Sequence, residues 1–241
     1  QVGARYHGAM RRSPTGMLWM TSFLVVLLLA PLSGNAQTDF WKFLTDSGVE
    51  AYRQGDFPGA EKLLDQALAE AEAFGPAGPG NSRVAVSLEN LAALHDDYGA
   101  QDKAAPFYRR AVASWEAVLG GRDAKFATKL NLAAVYFERQ GRYDEAAGLF
   151  VRALGITEAY LGPDHSVVAG VLSRLAGVHR KAGRLPRAEK LYLRAIAIRE
   201  RAVGPNSPRL IRILQGYGIL LRAMARDEDA AKIEARIAAI R

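Results

Sequence analysis

The feature that most constrains this chain is a pattern that recurs about every 42 residues. Gly141 separates two amphipathic segments, and equivalent glycines stand one period to either side, at Gly99 and Gly183. Ala225 lies one period after Gly183, and Gly55 lies slightly more than one period before Gly99. A fixed period of this length is the signature of stacked supersecondary units. It predicts five units, at about residues 40–84, 85–125, 126–166, 167–208 and 209–241.

Each unit also repeats a packing pattern after its turn. A small residue follows the turn by five positions, and in the first four units a bulky residue and then another alanine follow it, four and seven positions further on. Offsets of three and four place these residues on one helix face. A small residue lets a neighbouring helix approach closely, and a bulky one fills the space beside it. The pattern therefore predicts an all-α stack of helix-turn-helix pairs. The small residues are Ala60, Ala104, Ala146, Ala188 and Ala230, and the bulky ones are Leu64, Tyr108, Phe150 and Tyr192.

At these positions the chain resembles the tetratricopeptide repeat family, in the long-unit form found in kinesin light chains and many bacterial proteins. The resemblance covers residues 40–241 and implies a right-handed α-solenoid of five repeats. In the last unit Ala225 and Glu234 depart from the family pattern, at the turn glycine and at the second-helix aromatic position. The phrases that carry the resemblance are NLAALHDDYG (90–99), GRYDEAAGLFVRAL (141–154), LGPDHSVVA (161–169) and GRLPRAEKLYLRAIAIRE (183–200).

Ahead of the repeats, residues 10–36 have the pattern of a secretory signal peptide. Two arginines follow Met10, an apolar run covers residues 18–30, and Gly34 and Ala36 place small residues three and one before a cut. The apolar run is short for a membrane span, which needs about 20 residues. We therefore expect residues 1–9 to be an upstream extension, 10–36 a cleaved leader and 37–241 a periplasmic or secreted array. Anchoring in the inner membrane through residues 18–30 is the alternative.

The sequence offers no constellation of catalytic residues. The chain has no cysteine, which excludes thiol chemistry and cysteine-ligated metal sites. His95 and His179 occupy equivalent inward positions in units two and four and are expected to be packing residues, while His165 lies in a loop without a second histidine at ligand spacing. Zinc-binding HExxH, nucleophile-elbow and phosphate-binding glycine motifs are also missing from the sequence. We expect neither an enzyme nor a bound cofactor or metal.

Charge is distributed unevenly along the array. Residues 37–140 contain 11 basic and 15 acidic residues, whereas residues 141–241 contain 18 and 10. The basic residues of units four and five are spread around their helices, and the aromatic residues there occupy core positions rather than a platform for stacking bases. We therefore expect no binding of nucleic acid.

The outward positions of the first helices predict the binding surface. In stacked helix pairs these helices form a concave wall. Asparagine there offers both a donor and an acceptor to a peptide backbone, and units four and five add five cations without acidic residues at the same positions. We predict a non-enzymatic module that binds a protein or peptide segment, acidic in character. A passive structural or assembly subunit that uses its convex face is the alternative. The predicted site residues are Asn90, Asn131, Arg174, Arg180, Lys181, Arg212 and Arg222.

The leader generates the first testable prediction. If the leader is removed after Ala36, mass spectrometry of protein recovered from the producing cells will find Gln37, or its pyroglutamate, as the first residue. Intact protein that begins at Met10 and stays in the membrane fraction would contradict cleavage and favour the anchor.

Overall fold

A computed structural model describes residues 34–240 of the chain, with side chains from residue 37 onward. The chain divides into two units between Phe40 and Trp41, and the contacts below lie within the second unit. The predicted extension and the leader up to residue 33 lie outside the described residues. The elements are α1 (Gly34–Arg53), α2 (Phe57–Phe74), α3 (Arg83–Asp97), α4 (Gln101–Leu119), α5 (Ala124–Arg139), α6 (Tyr143–Leu161), α7 (Ser166–Lys181), α8 (Leu185–Val203), a 3₁₀ turn (Pro208–Leu210), α9 (Ile211–Ala223) and α10 (Asp227–Ile240).

The helices form five pairs, and each pair is joined by a short turn at the position that the repeat predicted. The turn glycines Gly55, Gly99, Gly141 and Gly183 have φ between 71° and 82°. Glycine adopts this left-handed conformation without steric penalty, so it ends a helix readily. The predicted all-α solenoid of helix-turn-helix repeats is confirmed.

The core of the array is the row of helix contacts that the packing pattern predicted. All five of the small residues that follow the turns are fully buried, and the four bulky residues beside them are buried too. Buried residues of successive pairs belong to shared clusters. For example, Phe126, Phe150 and Leu175 come from three helices and join one cluster. Each unit therefore completes its core against its neighbours.

The loops that lead into the next pair are capped in a repeated way. Asp123, His165 and Ser207 occupy equivalent positions in successive repeats, and the side chain of each accepts a hydrogen bond from the backbone nitrogen two residues later. Such caps satisfy the free N–H groups at the start of a helix. The role of His165 is therefore to cap α7.

Adjacent second helices are joined by ion pairs at equivalent positions, which the repeat pattern did not predict. An arginine eleven residues after one turn meets a glutamate seventeen residues after the turn of the preceding unit. Exposed ion pairs contribute only about 0–1 kcal/mol each, so their main effect is to fix how neighbouring units align. The pairs, with their N–O distances, are Arg110–Glu72 (2.5 Å), Arg152–Glu116 (2.7 Å), Arg194–Glu158 (2.6 Å) and Arg236–Glu200 (2.5 Å).

The fifth turn differs, because Ala225 occupies the glycine position with φ 56°. A side chain in this conformation costs about 1–2 kcal/mol.

We expect Ala225→Gly to raise the free energy of unfolding by up to about 1 kcal/mol, because relief of this cost is partly offset by the larger chain entropy that glycine loses on folding. The matched change Gly183→Ala should lower it by about 1–2 kcal/mol. Chemical denaturation of both variants checks the pair, and equal stabilities for all three proteins would contradict it.

Candidate functional site

The first helices of units three, four and five line an open pocket of about 580 Å³, which we call the groove pocket. It brings together Asn131 from α5, Arg174 from α7 and Arg212 from α9, three of the predicted site residues. The pocket therefore spans three successive repeats. Its lining is completed by Thr128, Leu132, Val135, Val167, Gly170 and Val171.

The groove pocket has an apolar surface that the chain itself does not cover. Leu132 and Val167 are large aliphatic residues that remain 47% and 49% exposed. A Cβ added to Gly170 would meet no atom within 4 Å, so the wall is open there as well. Exposed aliphatic side chains beside a concave space are typical of sites that bind an apolar group.

Asn131 adds an unsatisfied polar group to this surface. Its Nδ2 donates to the carbonyl oxygen of Ala127 at 3.0 Å. Its Oδ1 is buried and accepts no hydrogen bond within the described residues. A buried acceptor without a partner is costly. Because this Oδ1 atom is buried, a bound molecule reaches it only after the Asn131 side chain rotates.

Two arginines of the groove pocket keep their charge unpaired. Arg174 and Arg212 are exposed, and neither is within ion-pair distance of a carboxylate in residues 34–240. A guanidinium group presents its N–H donors in a plane that matches a carboxylate. The pocket therefore combines an apolar surface with two cationic donors.

Two of the other three predicted cations have acidic partners. Lys181 Nζ lies 3.0 Å from Glu138 Oε1, and Arg222 lies 2.7 Å from Glu234 Oε1. Arg180 lies near Tyr192, where its charge partly offsets the rise that burial causes in the pKa of Tyr192. The expectation that all five cations lack acidic partners is therefore wrong for Lys181 and Arg222. Lys181 meets an acid from the preceding unit, and Arg222 reaches a glutamate that stands where the other units have a buried bulky residue.

Two of the three acidic groups on the first helix of unit two are also paired with cations of the next unit. Glu89 Oε2 lies 2.6 Å from Lys129 Nζ, and Asp96 pairs with Arg139. Trp115 completes the first pair, because its Nε1 donates to Glu89 at 3.0 Å and its ring lies 4.2 Å from Lys129 Nζ. Trp115 is thus held by its neighbours.

Asn90 does not join the groove pocket. It lies half-buried on α3, two repeats away from the repeat that supplies Arg174, and it is not among the lining residues. The structure therefore separates the two asparagines that the sequence treated as equivalent.

His95, one of the two histidines on the first helices, packs in the core as expected. His95 is 3% exposed, and its ring stacks on Phe107 with centroids 5.4 Å apart. Burial lowers the pKa of His95 and that of His179. At His95 the negative charge of Glu61 opposes this shift. In the described part of the chain no group of His, Asp and Glu side chains could hold a metal ion. Nor does any helix in that part have the length and apolarity to span a membrane.

Comparison with known proteins decides the family. Models of the tetratricopeptide repeat match residues 84–123, 127–166 and 167–241, more than half of the chain. The chain belongs to the tetratricopeptide repeat family. No curated protein sequence matches it. Repeats of this family are generally protein-interaction modules without enzymatic activity.

Solved structures with the same fold include kinesin light chain-like proteins. BtubC (BKLC) from P. vanneervenii is 24% identical, with 92% of this chain and 87% of that one covered and a TM-score of 0.66. A Podospora anserina protein described as a kinesin light chain with nearly identical TPR-like repeats is 17% identical, with 83% and 93% covered and a TM-score of 0.69. MamA is 18% identical, with 83% and 91% covered and a TM-score of 0.58. At these identities the likeness establishes the fold, as the repeat pattern predicted.

Burial of His95 generates a prediction about stability and pH. The unfolded chain takes up a proton at His95 near pH 6.5, whereas the folded chain does so only at lower pH. The unfolded state therefore binds more protons in that interval, so stability falls as pH drops below about 6.5. In His95→Phe this loss should be smaller, as measured by urea unfolding at pH 7.5 and 5.5. Leu214→Ala, a buried position in unit five away from His95, removes no titrating group and should destabilise equally at both pH values. An unchanged loss in His95→Phe would contradict the assignment.

Proposed function

We propose that this protein is a non-enzymatic interaction module that binds an acidic segment of a partner protein in its groove. The observation that carries the proposal is the groove pocket, in which two unpaired arginines border an uncovered apolar surface. Membership of the family supports the binding of a protein partner. The acidic character of the bound segment is proposed in addition, from the charges of the groove pocket.

Charge favours a carboxylate-bearing segment at this place. Along the first helices Glu89, Asp96 and Glu138 are already paired with cations of the next repeat. The positive charge of Arg174 and Arg212 is therefore not offset by neighbours. Because exposed pairs contribute only about 0–1 kcal/mol each, the arginines set the choice and orientation of the partner more than its affinity.

Affinity comes from the apolar surface and from hydrogen bonding. A side chain that covers Leu132 and Val167 gains about 25 cal/mol for each Å² of apolar surface it buries. After rotation of its side chain, Asn131 Oδ1 would accept a backbone N–H of the same segment and so satisfy a group that the chain leaves unpaired. We therefore propose a segment with a bulky apolar residue next to acidic ones.

The remaining predicted residues take a secondary part in this proposal. Lys181 and Arg222 must each break an ion pair within the chain before they can pair with a carboxylate of the partner. Each therefore adds little to the affinity. Asn90 would contact only a segment long enough to run along several repeats. No nucleic acid and no cofactor is part of the proposal.

The place of action is proposed from the leader alone. Export through a cleaved signal peptide would put the partner in the periplasm or outside the cell. Contact with a membrane would then arise only through an uncleaved leader.

Selection from a random-peptide display library, with the full chain as bait, tests the groove. We expect enriched peptides to contain Asp or Glu beside a large apolar residue. A selected peptide should bind more weakly as salt rises, because exposed charges are screened beyond about 10 Å at 0.1 M ionic strength. The double variant Arg174→Glu, Arg212→Glu should lose at least about tenfold in affinity for it, which corresponds to about 1.4 kcal/mol.

The matched control reverses two charges elsewhere. Lys62 and Lys190 are exposed on second helices, and Lys62→Glu, Lys190→Glu changes the net charge by the same amount. This control should bind the peptide as the parent chain does. Enrichment of basic peptides, or equal losses in both double variants, would contradict an acidic ligand at the groove pocket.

A further inference from the structure

We propose that the turns of units one and two form a second binding surface, which takes an arginine side chain from a basic segment of a partner protein. We call this surface the Tyr98 face, and it consists of Tyr52, Phe57, Asp97 and Tyr98. The groove pocket lies instead on the first helices of units three to five. The inference is therefore independent of the proposed groove function.

The Tyr98 face presents an aromatic surface to solvent. Tyr98 is 59% exposed, and its ring lies against that of Phe57, with centroids 4.9 Å apart and planes at 32°. Tyr52 adds a third ring, edge-on to Phe57 with centroids 5.9 Å apart. These contacts hold the ring of Tyr98 in place while more than half of the residue stays exposed. An exposed ring attracts a cation, because its faces carry negative partial charge.

Asp97 supplies a carboxylate whose charge is not cancelled within the chain. Its Oδ2 accepts a hydrogen bond from the hydroxyl of Tyr52. This hydrogen bond raises the pKa of Tyr52, so the hydroxyl stays protonated and neutral. Among residues 37–240 no cation lies within ion-pair distance of Asp97. The full negative charge therefore remains beside the exposed rings.

The contact between Tyr52 and Asp97 stands where later repeats have an ion pair. In those repeats an acid three residues before one turn meets a cation two residues before the next turn. Between units one and two, the acid position holds Tyr52 and the cation position holds Asp97. A cation from a partner would supply the charge that is missing here. The pairs of the later repeats are Asp96–Arg139 and Glu138–Lys181.

The other charges around the Tyr98 face leave it negative. Three cations lie beside the face, and each already has an acidic partner. Asp56 is exposed at the first turn, where it accepts a hydrogen bond from the nitrogen of Gly59 and pairs with no cation in the described part of the chain. A cationic side chain that binds here therefore meets no unpaired positive charge among these neighbours. The pairs are Arg53–Glu50 (3.7 Å), Lys103–Glu61 (2.7 Å) and Arg139–Asp96.

The residues of the Tyr98 face do not follow from the repeat. The position of Tyr98 holds glutamine in units one and three, alanine in unit four and methionine in unit five. The position of Asp97 holds a cation in units one, three and four. Both residues are exposed, so core packing does not account for them either.

Arginine fits this surface better than lysine. Its guanidinium group is planar, so it can stack on the ring of Tyr98 while its N–H donors form hydrogen bonds with a carboxylate. The carboxylate of Asp97 accepts one hydrogen bond from the chain and has lone pairs for more. The charge of the first half also favours a basic partner, because residues 37–140 contain 15 acidic and 11 basic residues.

Selection from a random-peptide display library tests the Tyr98 face. The bait is the full chain with Arg174→Gln, Arg212→Gln, which removes the groove cations without adding negative charge. We expect enriched peptides to contain arginine, and a selected peptide should bind the parent chain equally well. Asp97→Asn, which keeps an acceptor for Tyr52, and Tyr98→Gln should each bind it about two- to fivefold more weakly. Tyr98→Phe keeps the ring and should bind as the parent does.

Two matched controls remove the same groups elsewhere. Glu228→Gln removes one exposed carboxylate in unit five, and Tyr160→Gln removes a ring that is 69% exposed in unit three. Both should bind the peptide as the parent does, and replacing its arginine by neutral citrulline should weaken binding. Enrichment of peptides without arginine or lysine, or equal affinity for the parent, Asp97→Asn and Tyr98→Gln, would overturn the proposal. Self-association of the parent chain that is lost in Asp97→Asn would make the occupant a second copy and overturn the choice of partner.

Discussion

The structure depends on one contact that recurs in each unit, the approach of a neighbouring helix to a buried alanine five residues after each turn. All five residues at this position are fully buried. A larger side chain there would push the helix axes apart, and the surrounding close-packed side chains would lose contacts. Because every unit uses the same contact, the first helices lie side by side along one surface and the second helices along another. The groove pocket follows from that separation.

Ion pairing then decides where charge is left over. Along the first helices an acid of one repeat meets a cation of the next, as in Glu89–Lys129 and Glu138–Lys181. Acids and cations of the first helices pair in this way between neighbouring repeats, whereas Arg174 and Arg212 remain unpaired in the groove pocket. Both arginines thus lie beside exposed Leu132 and Val167, where an apolar contact is also available.

The fold could be predicted from the sequence because its determinants are local and repeat. The turn glycines, the small residue after each turn and the period together specify which faces are buried. The site could be predicted only in part. The position of a residue within its repeat shows whether it lies on the first-helix surface. In this way the sequence predicted that Asn131, Arg174 and Arg212 lie on the same surface. The ion pairs could not be predicted from repeat position, because the Arg222–Glu234 pair arises from a departure from the repeat pattern in the last unit.

The arginine–glutamate ladder has a consequence for how such a chain can change in length. Each arginine stands eleven residues after its own turn, and each glutamate seventeen residues after the preceding one. Excision of one whole unit, from Gly99 through Gln140, would bring Glu72 opposite Arg152 in place of Arg110. The arginine–glutamate contact between second helices, the caps and the buried alanines would again match across the new junction, while Glu89 would lose its partner Lys129. An array of this kind can therefore lose or gain a repeat with the contacts between its second helices intact.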